Sequence, residues 1–257
     1  LINKILLKDS SKNKPGVIMN KITLDTFIQK YNLGGAVNSV KWISDGATLS
    51  TKFISGDKSL LGVLELDKQS LPIFDVGVYD TAQLQKMLNV MMDSIELSLT
   101  KVDDNPVAFH LTDANKSSDY VLAALGVIPD VPELKKLPEF ETRIKVDNNF
   151  INTFIKGKNA LSDVDTFTIL NGKNGLEVVI GYSSTNTNRV NIPVDVESSN
   201  LDNAISFNAN LFKEVLIANK ECTSAILEVS NGGLARLNFK IDDYDSTYYV
   251  VAIQDVD

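Results

Sequence analysis

The sequence has one cysteine and one histidine among its 257 residues. Cys222 alone excludes an internal disulfide, and with His110 as the only imidazole no zinc site of histidine and cysteine ligands can be assembled. No stretch approaches the roughly 20 apolar residues of a membrane-spanning helix, and residues 1–18 lack the apolar run of a secretory signal. We therefore expect an intracellular globular chain with no membrane partner and no metal.

Convincing catalytic motifs are also missing. His110 lies in the alternating stretch "VAFHL" with no nucleophile beside it, which favours a strand residue over a general base. The acidic pairs at 103–104 and 242–243 could hold a metal, but strands follow both, which favours solvated turn residues. Neither "NLGGA" nor "NGKNG" has the spacing of a phosphate-binding loop. We expect neither an enzyme nor a cofactor.

Four segments place apolar residues at helical spacing. Each follows a residue that can cap a helix start, so we expect four helices that bury one face in the core. The segments are Leu24, Phe27, Ile28 and Tyr31 after Thr23; Leu84, Met87, Leu88 and Met91 after Asp80; Phe150, Ile151, Phe154 and Ile155 after Asp147, ending near Gly157; and Leu211, Phe212, Val215 and Leu216 after Asn208.

Most of the remaining sequence has the pattern of β-strands, and its order repeats. Stretches such as "LLGVLEL" and "AILEVSNGGLARLNFKI" alternate apolar and polar residues, with NG and GG pairs at hairpin positions. In each half a helix precedes about four strands, a strand that runs directly into a second helix, and three more strands. Asp80 and Asn208 are 128 residues apart, and Tyr120 and Tyr249 are 129 apart. The chain is therefore predicted to be duplicated.

A proline-rich stretch separates the two halves. The segment "GVIPDVPELKKLPEFE", residues 126–141, contains three of the seven prolines, which favours an extended connector. We predict an α+β protein of two similar domains, each with two helices packed on β-sheets. The predicted boundaries are 1–18 for an extension of unknown role, 19–125 for the first domain, 126–141 for the connector and 142–257 for the second domain.

Positive charge is concentrated in the predicted helices. Segments 21–32, 80–92, 147–159 and 208–220 hold seven lysines against four acidic residues, a net charge of +3, which leaves −11 for the rest of a chain whose total is −8. Lys30, Lys86, Lys156 and Lys213 project away from the apolar stripes at 100° per residue, whereas Lys158 projects the other way. Lysine on any exposed helix face remains the alternative interpretation. Few arginines and no interleaved aromatics favour contact with a duplex backbone over base recognition.

The sequence resembles the DNA polymerase sliding clamps, and among them the T-even-type phage clamps. The resemblance runs from about Met19 to the end of the chain. The segments "TLDTFIQKYN" and "DNNFINTFIKG" open the two repeats, "FDVGVYDTAQLQKML" forms the junction of strand and helix, and "SDYVLAALGVIPDVPE" leads into the connector. The end of the chain, "STYYVVAIQ", also matches.

The resemblance implies a closed homotrimeric ring around duplex DNA, with helices inside and sheets outside. It also implies an ATP-dependent clamp loader, and tethering of DNA polymerase and other DNA-processing proteins in a cytoplasm, the host's if a phage encodes the chain. The implied DNA-facing residues are Lys21, Lys30, Lys86, Lys156, Lys158, Lys213 and Lys220. The implied partner pocket contains Val127, Ile128, Val131, Leu134, Leu234, Val251 and Ile253, and the implied subunit interface contains Tyr120, Val121, Leu122, Val190 and Ile192.

The strongest alternative is a non-enzymatic, β-rich virion structural or adhesion protein. Such a protein would account for the strands and for the asparagine-rich turns. It would not account for paired helices that carry outward lysines in both halves of the chain. The two hypotheses differ most simply in solution mass and in the ability to support long DNA synthesis.

Overall fold

The structure is a computed structural model, which describes residues 16–183, 185 and 187–253. The helices are α1 (Lys21–Asn32), α2 (Thr81–Asn89), α3 (Asn148–Ala160) and α4 (Ala209–Ala218). The strands of the first half are β1 (Val17–Asn20), β2 (Val40–Ser44), β3 (Leu49–Ile54), β4 (Leu60–Leu66), β5 (Phe74–Val78), β6 (Ser94–Val102), β7 (Asn105–Thr112) and β8 (Ser117–Val121). Those of the second half are β9 (Thr142–Val146), β10 (Thr166–Gly172), β11 (Gly175–Ile180), β12 (Val190–Pro193), β13 (Val196–Ser198), β14 (Ile205–Asn208), β15 (Ala225–Ser230), β16 (Leu234–Ile241) and β17 (Tyr244–Val251).

Three of the four helix starts lie where the sequence predicts them. The side chains of Asp80, Asp147 and Asn208 each accept a hydrogen bond from a backbone N–H in the first turn, at 2.8 to 3.0 Å. The predicted start at Thr23 is wrong, because Asn20 caps α1 by accepting from the N–H of Ile22 at 3.0 Å. The apolar stripe begins only at Leu24, so the first turn of this helix carries no periodic signal.

The strands form three antiparallel sheets. Their orders are β1-β6-β7-β8, β12-β11-β10-β14 and β13-β9-β15-β16-β17-β4-β3-β2-β5. The nine-stranded sheet combines both halves of the chain, because β17 pairs with β4 from Tyr244 opposite Leu66 to Val250 opposite Leu60. One continuous sheet therefore joins the end of the chain to its first half.

The order of elements repeats as predicted. Each half has a strand, a helix, a group of strands, a second helix and a three-stranded meander, and β13 is the additional short strand of the second half. The repeat is 128 residues in the meander, where Leu111 pairs with Ser118 and Phe239 pairs with Ser246. The counterpart of Tyr120 is therefore Tyr248, and the sequence match to Tyr249 was wrong by one residue. Both Tyr120 and Tyr248 are buried.

Strand β1 begins within the segment that the sequence analysis predicts as an extension. Strand β1 begins at Val17, which pairs with Leu97, two residues before the predicted boundary at 19. Residues 1–15 of the predicted extension lie outside the described residues.

Aromatic side chains fill the core between the helices and the sheets. Phe27 and Tyr31 of α1 meet Trp42 of β2 edge to face, with ring centroids 5.4 and 6.4 Å apart. Gly62 of β4 leaves room for the ring of Phe53, since an added Cβ would lie 2.1 Å from that ring. The second half repeats the arrangement with Phe154, Phe167, Phe207 and Phe212.

The connector crosses the face of the nine-stranded sheet that points away from the helices. At its start Ile128 is buried against Gly77 of β5, and Asp130 pairs with Lys41 of β2 at 2.7 Å. At its end the ring of Phe140 lies 4.6 Å from the guanidinium of Arg236 on β16. The connector thus spans from the β5 end of the sheet to β9 and leaves most of its middle residues exposed.

Candidate nucleic-acid interface

The four helices form one layer in the order α2, α1, α4 and α3. Each helix turns its apolar face toward the sheets, so their polar faces combine into one surface, which we call the helix surface. Between α1 and α2 this surface has a groove of about 340 Å³ lined by Asp25, Gln29, Ala82, Gln85, Lys86 and Asn89.

Five of the seven lysines predicted to face DNA are accessible on this layer. Lys86, Lys156 and Lys220 are exposed, and they form no ion pair with any carboxylate in the described part of the chain. Lys21 lies 3.8 Å from Asp25, and Lys213 lies 3.3 Å from Glu214. These pairs are partly exposed, so water and salt weaken them, and the two lysines can still contact an anion.

Neutral amides cover much of the remaining helix surface. The exposed members are Gln29, Gln83, Asn89, Asn148, Asn149, Asn152, Asn159 and Asn210. Amides can donate hydrogen bonds to phosphate oxygens without the attraction of a full charge. Sequence reasoning missed this feature, although the asparagine-rich text of α3, "NNFINTFIKGKNA", could have revealed it.

Lys30 is not on the helix surface, and its predicted role was wrong. Its side chain is fully buried, and its Nζ donates to the carbonyl of Ala218, to Asn219 Oδ1 and to Glu221 Oε1 at 2.9 to 3.0 Å. Burial lowers the pKa of this amine, and the hydrogen bond and charge of Glu221 act in the opposite direction. The lysine therefore joins α1 to the carboxyl end of α4, where the helix dipole favours a cation.

Further polar groups complete this buried network. Asn219 donates to the carbonyl of Val215 and to the hydroxyl of Tyr248, which in turn donates to the carbonyl of Lys30 at 2.8 Å. Burial raises the pKa of Tyr248 to about 12, so this hydroxyl keeps its proton at neutral pH. The network connects the two halves at the same place where β17 pairs with β4.

Lys158 is also removed from the helix surface. It is buried at the end of α3, and its Nζ donates to the backbone carbonyl of Ser162 at 2.9 Å. Lys158 therefore binds the carbonyl groups at the end of α3, and the prediction that it faces DNA was wrong.

The residues of the predicted partner pocket fall into two groups. Leu234 and Val251 are neighbours across β16 and β17, and Ile253 follows them; Val251 and Ile253 are exposed.

The connector residues form the second group. Val127 is exposed near β5, which is four strands from β17, or about 19 Å at the usual strand spacing. Val131 is partly buried and Leu134 exposed along the connector between them. Ile128 is buried, so it anchors the connector and is not available to a partner.

The outer face of the sheet adds apolar residues that the sequence did not reveal. Ile54, Leu61 and Tyr249 lie opposite one another on β3, β4 and β17 and are all partly exposed. Together with Leu234 and Val251 they form one apolar patch, which we call the junction patch. Its members come from both halves of the chain, so no local stretch of sequence shows them together.

The predicted interface residues lie on or beside two sheet edges, neither of which pairs with a further strand among the residues that the structure describes. β8 is the last strand of its four-stranded sheet and β12 is the last strand of the other. Val121 is exposed on β8, Leu122 and Val190 are partly buried, and Ile192 is buried. Tyr120 is buried within its own domain, where its hydroxyl accepts from the N–H of Asp80 at 3.0 Å.

The ionisable residues considered for catalysis lie on strands and in hairpin turns. His110 lies on β7 with its Nδ1 2.6 Å from Asp119 of β8. Asp103, Asp104 and Asp242 occupy hairpin turns with positive φ.

No group of three or more potential metal-ligating side chains occurs in residues 16–183, 185 and 187–253. No helix in the same ranges is long and apolar enough to span a membrane.

Comparison with known proteins identifies the fold. No protein-family model matches the sequence, and no curated protein matches it. Among solved structures, the crystal structure of proliferating cellular nuclear antigen from Entamoeba histolytica is similar, with a TM-score of 0.70 and 15% sequence identity. The match covers 94% of this chain and 100% of that one. The chain therefore has the sliding-clamp fold.

Proposed function

We propose that three copies of this chain close into a ring that encircles duplex DNA and tethers a DNA polymerase. The observation that supports this most directly is the helix surface: lysines and amides on one side of a four-helix layer, backed by sheets, in a chain whose total charge is −8. A local positive surface on an acidic protein attracts phosphate, and weak, salt-sensitive contacts permit sliding. The role is that of a scaffold without catalytic activity.

The dimensions of such a ring suit a duplex. Three chains contribute twelve helices, which at roughly 10 Å between axes form a circle about 38 Å across and leave an opening of about 28 Å. Double-stranded DNA fits in this opening with a layer of water. A closed ring needs an ATP-dependent loader to admit DNA, and the matching sequence segments favour a clamp of the T-even phage type in a host cytoplasm.

The test of the proposal combines mass with activity. Light scattering at micromolar concentration should give three times the mass of the 28.2 kDa chain. Primer extension with the cognate polymerase and loader should give longer products when the chain is present. The template must be one from which a loaded ring cannot slide off at an end. A monomer or a stable dimer with no effect on product length would contradict the proposal.

We also propose that partners bind the junction patch through a short apolar peptide. Val251→Ser combined with Leu234→Ser removes two neighbouring aliphatic side chains from one end of this patch. Loss of such an anchor usually costs more than about 1 kcal/mol, so affinity for the polymerase's carboxyl-terminal peptide should fall by about tenfold or more. Titration calorimetry measures the change.

The matched control for this prediction is Ile73→Ser, which removes a more exposed aliphatic side chain outside the junction patch. It should leave peptide affinity unchanged. Both proteins should keep the mass of the intact ring. Equal peptide affinity in the double variant and the wild type would place the partner site elsewhere.

A further inference from the structure

We infer that the partner peptide carries an acidic side chain close to its apolar anchor, and that Arg143 and Arg236 bind this carboxylate. The inference rests on the proposed binding of a peptide at the junction patch. It goes beyond that proposal because it assigns a second, charged part of the site and a sequence property of the partner.

A polar groove lies beside the junction patch on the outer face of the nine-stranded sheet. It has a volume of about 550 Å³, and the side chains that line it include Arg143, Glu228, Arg236, Lys240 and Tyr249. We call it the arginine groove. Tyr249 also belongs to the junction patch, and it lies opposite Arg236 in the ladder of β16 and β17. The apolar patch and the groove are therefore continuous at this tyrosine.

Two guanidinium groups share one carboxylate in the arginine groove. The side chain of Glu228 is only 12% exposed, and it accepts hydrogen bonds from both Arg143 and Arg236. One nearly buried negative charge therefore meets two positive charges. Water screens charges weakly at such a position, so the excess positive charge favours a second anion.

The other carboxylates near the groove are more exposed than Glu228. Glu197 lies 3.1 Å from Arg143 and Asp245 lies 3.1 Å from Lys240, and the side chains of both acids are at least one-third exposed. Ion pairs in contact with water are weak. Glu197 and Asp245 therefore offset the positive charge of the groove only in part.

Both arginines have donors to spare. Hydrogen bonds within the described residues use Nε and Nη1 of Arg143, and Nε and Nη2 of Arg236. The remaining terminal nitrogen of each guanidinium has no hydrogen-bond partner among those residues. The ring of Phe140 lies 4.6 Å from the Arg236 guanidinium and holds it from one side. A carboxylate can accept charge-assisted hydrogen bonds from the free nitrogens.

Strand spacing sets the distance between anchor and acid. Arg236 lies one strand from Tyr249, and Glu228 lies one strand further, so the paired arginines are about 5–10 Å from the junction patch. An extended peptide advances about 3.3 Å per residue. The acidic residue should therefore lie two or three residues from the apolar anchor.

The first experiment removes one arginine. The probe is the carboxyl-terminal peptide of the cognate polymerase, and its affinity for the Arg236→Gln variant should fall by about tenfold in titration calorimetry. The fold should persist, because Glu228 keeps Arg143 as a partner. Lys145→Gln is the matched control, since it removes a positive charge from the same sheet face but does not line the groove. It should leave the affinity unchanged.

The second experiment changes the peptide. Replacing its acidic residue near the anchor with the corresponding amide should lower affinity for the wild type by about tenfold, and affinity for Arg236→Gln much less. This double-mutant cycle isolates the pair from any general effect of the substitution on folding. Amidation of the peptide's terminal carboxylate should have no effect. A loss on amidation alone would mean that the arginines bind the chain end, and the assignment to an acidic side chain would be wrong.

The remaining outcomes separate this inference from the proposed partner site. If the double variant of Leu234 and Val251 loses affinity while Arg236→Gln does not, the inference is wrong and the junction patch remains the partner site. A polymerase peptide without an acidic residue near its anchor has the same meaning. If neither protein variant changes the affinity, both the inference and the proposed partner site are wrong.

Discussion

Reversing the charge of the helix surface should abolish long DNA synthesis while leaving the fold intact. The variant replaces Lys86, Lys156, Lys213 and Lys220 with Glu, so the proposed ring of three copies would carry twelve negative charges in place of twelve positive charges. These side chains are exposed or partly exposed, so the free energy of unfolding should change little. The helix surface would then repel the DNA phosphates that it attracts in the wild type. We therefore expect product length and the lifetime of loaded rings to fall by at least about tenfold.

The control for this prediction changes net charge equally but elsewhere. Lys52, Lys58, Lys101 and Lys173 lie on strands and turns, are exposed, and can be changed to Glu together. That protein should support synthesis nearly as well as the wild type. Single-molecule lifetimes at low and high salt add a second readout, because the wild type should lose affinity with salt more steeply than the helix-surface variant. Equal product length for the helix-surface variant and the wild type would mean that DNA does not contact this face.

Lys30→Met should produce the largest loss of stability among single lysine substitutions. The variant removes the donor that satisfies Ala218, Asn219 and Glu221 in a buried site. Asn219 Oδ1 keeps Ser246 as a donor and Glu221 is partly exposed to water, so the loss comes from the hydrogen bonds of the lysine itself. It should lower the free energy of unfolding by roughly 1.5–3 kcal/mol. Urea denaturation, followed by tryptophan fluorescence of the buried Trp42, measures the change.

Lys220→Met is the matched control for Lys30→Met. This lysine lies just beyond α4, at the same helix end, but its side chain is exposed. The substitution should change the free energy of unfolding by no more than about 0.5 kcal/mol. If Lys30→Met unfolds at the same urea concentration as this control, the buried network contributes nothing to stability.

The wrong prediction for Lys30 shows that helical periodicity alone does not establish which side chains are exposed in the folded protein. A helical wheel places this residue to the side of the stripe formed by Leu24, Phe27 and Tyr31, which is correct for an isolated helix. The sequence does not show that α4 packs against that side, because the order of helices in a layer depends on tertiary contacts. Lys86 and Lys156 were predicted correctly as exposed because no neighbouring helix covers them.

The fold was easier to predict than the partner surface. Alternation, hairpin turns and three helix caps are local signals, and the repeated order of elements adds a check across the two halves. The junction patch has no such signal, since Ile54, Leu61 and Tyr249 occupy ordinary alternating positions on three separate strands. Their meeting depends on the pairing of β17 with β4, which lie almost two hundred residues apart in the chain.

The pairing of β17 with β4, together with the Lys30 network, has a consequence for the connector. The two halves are held by a strand ladder and by buried hydrogen bonds, so the covalent link at 126–141 is not what keeps them associated. Its middle residues need only span the distance, and the side chain of Leu134 there is exposed. The composition of this segment can therefore diverge to suit a new binding partner, or be cut by a protease, without the body of the protein coming apart.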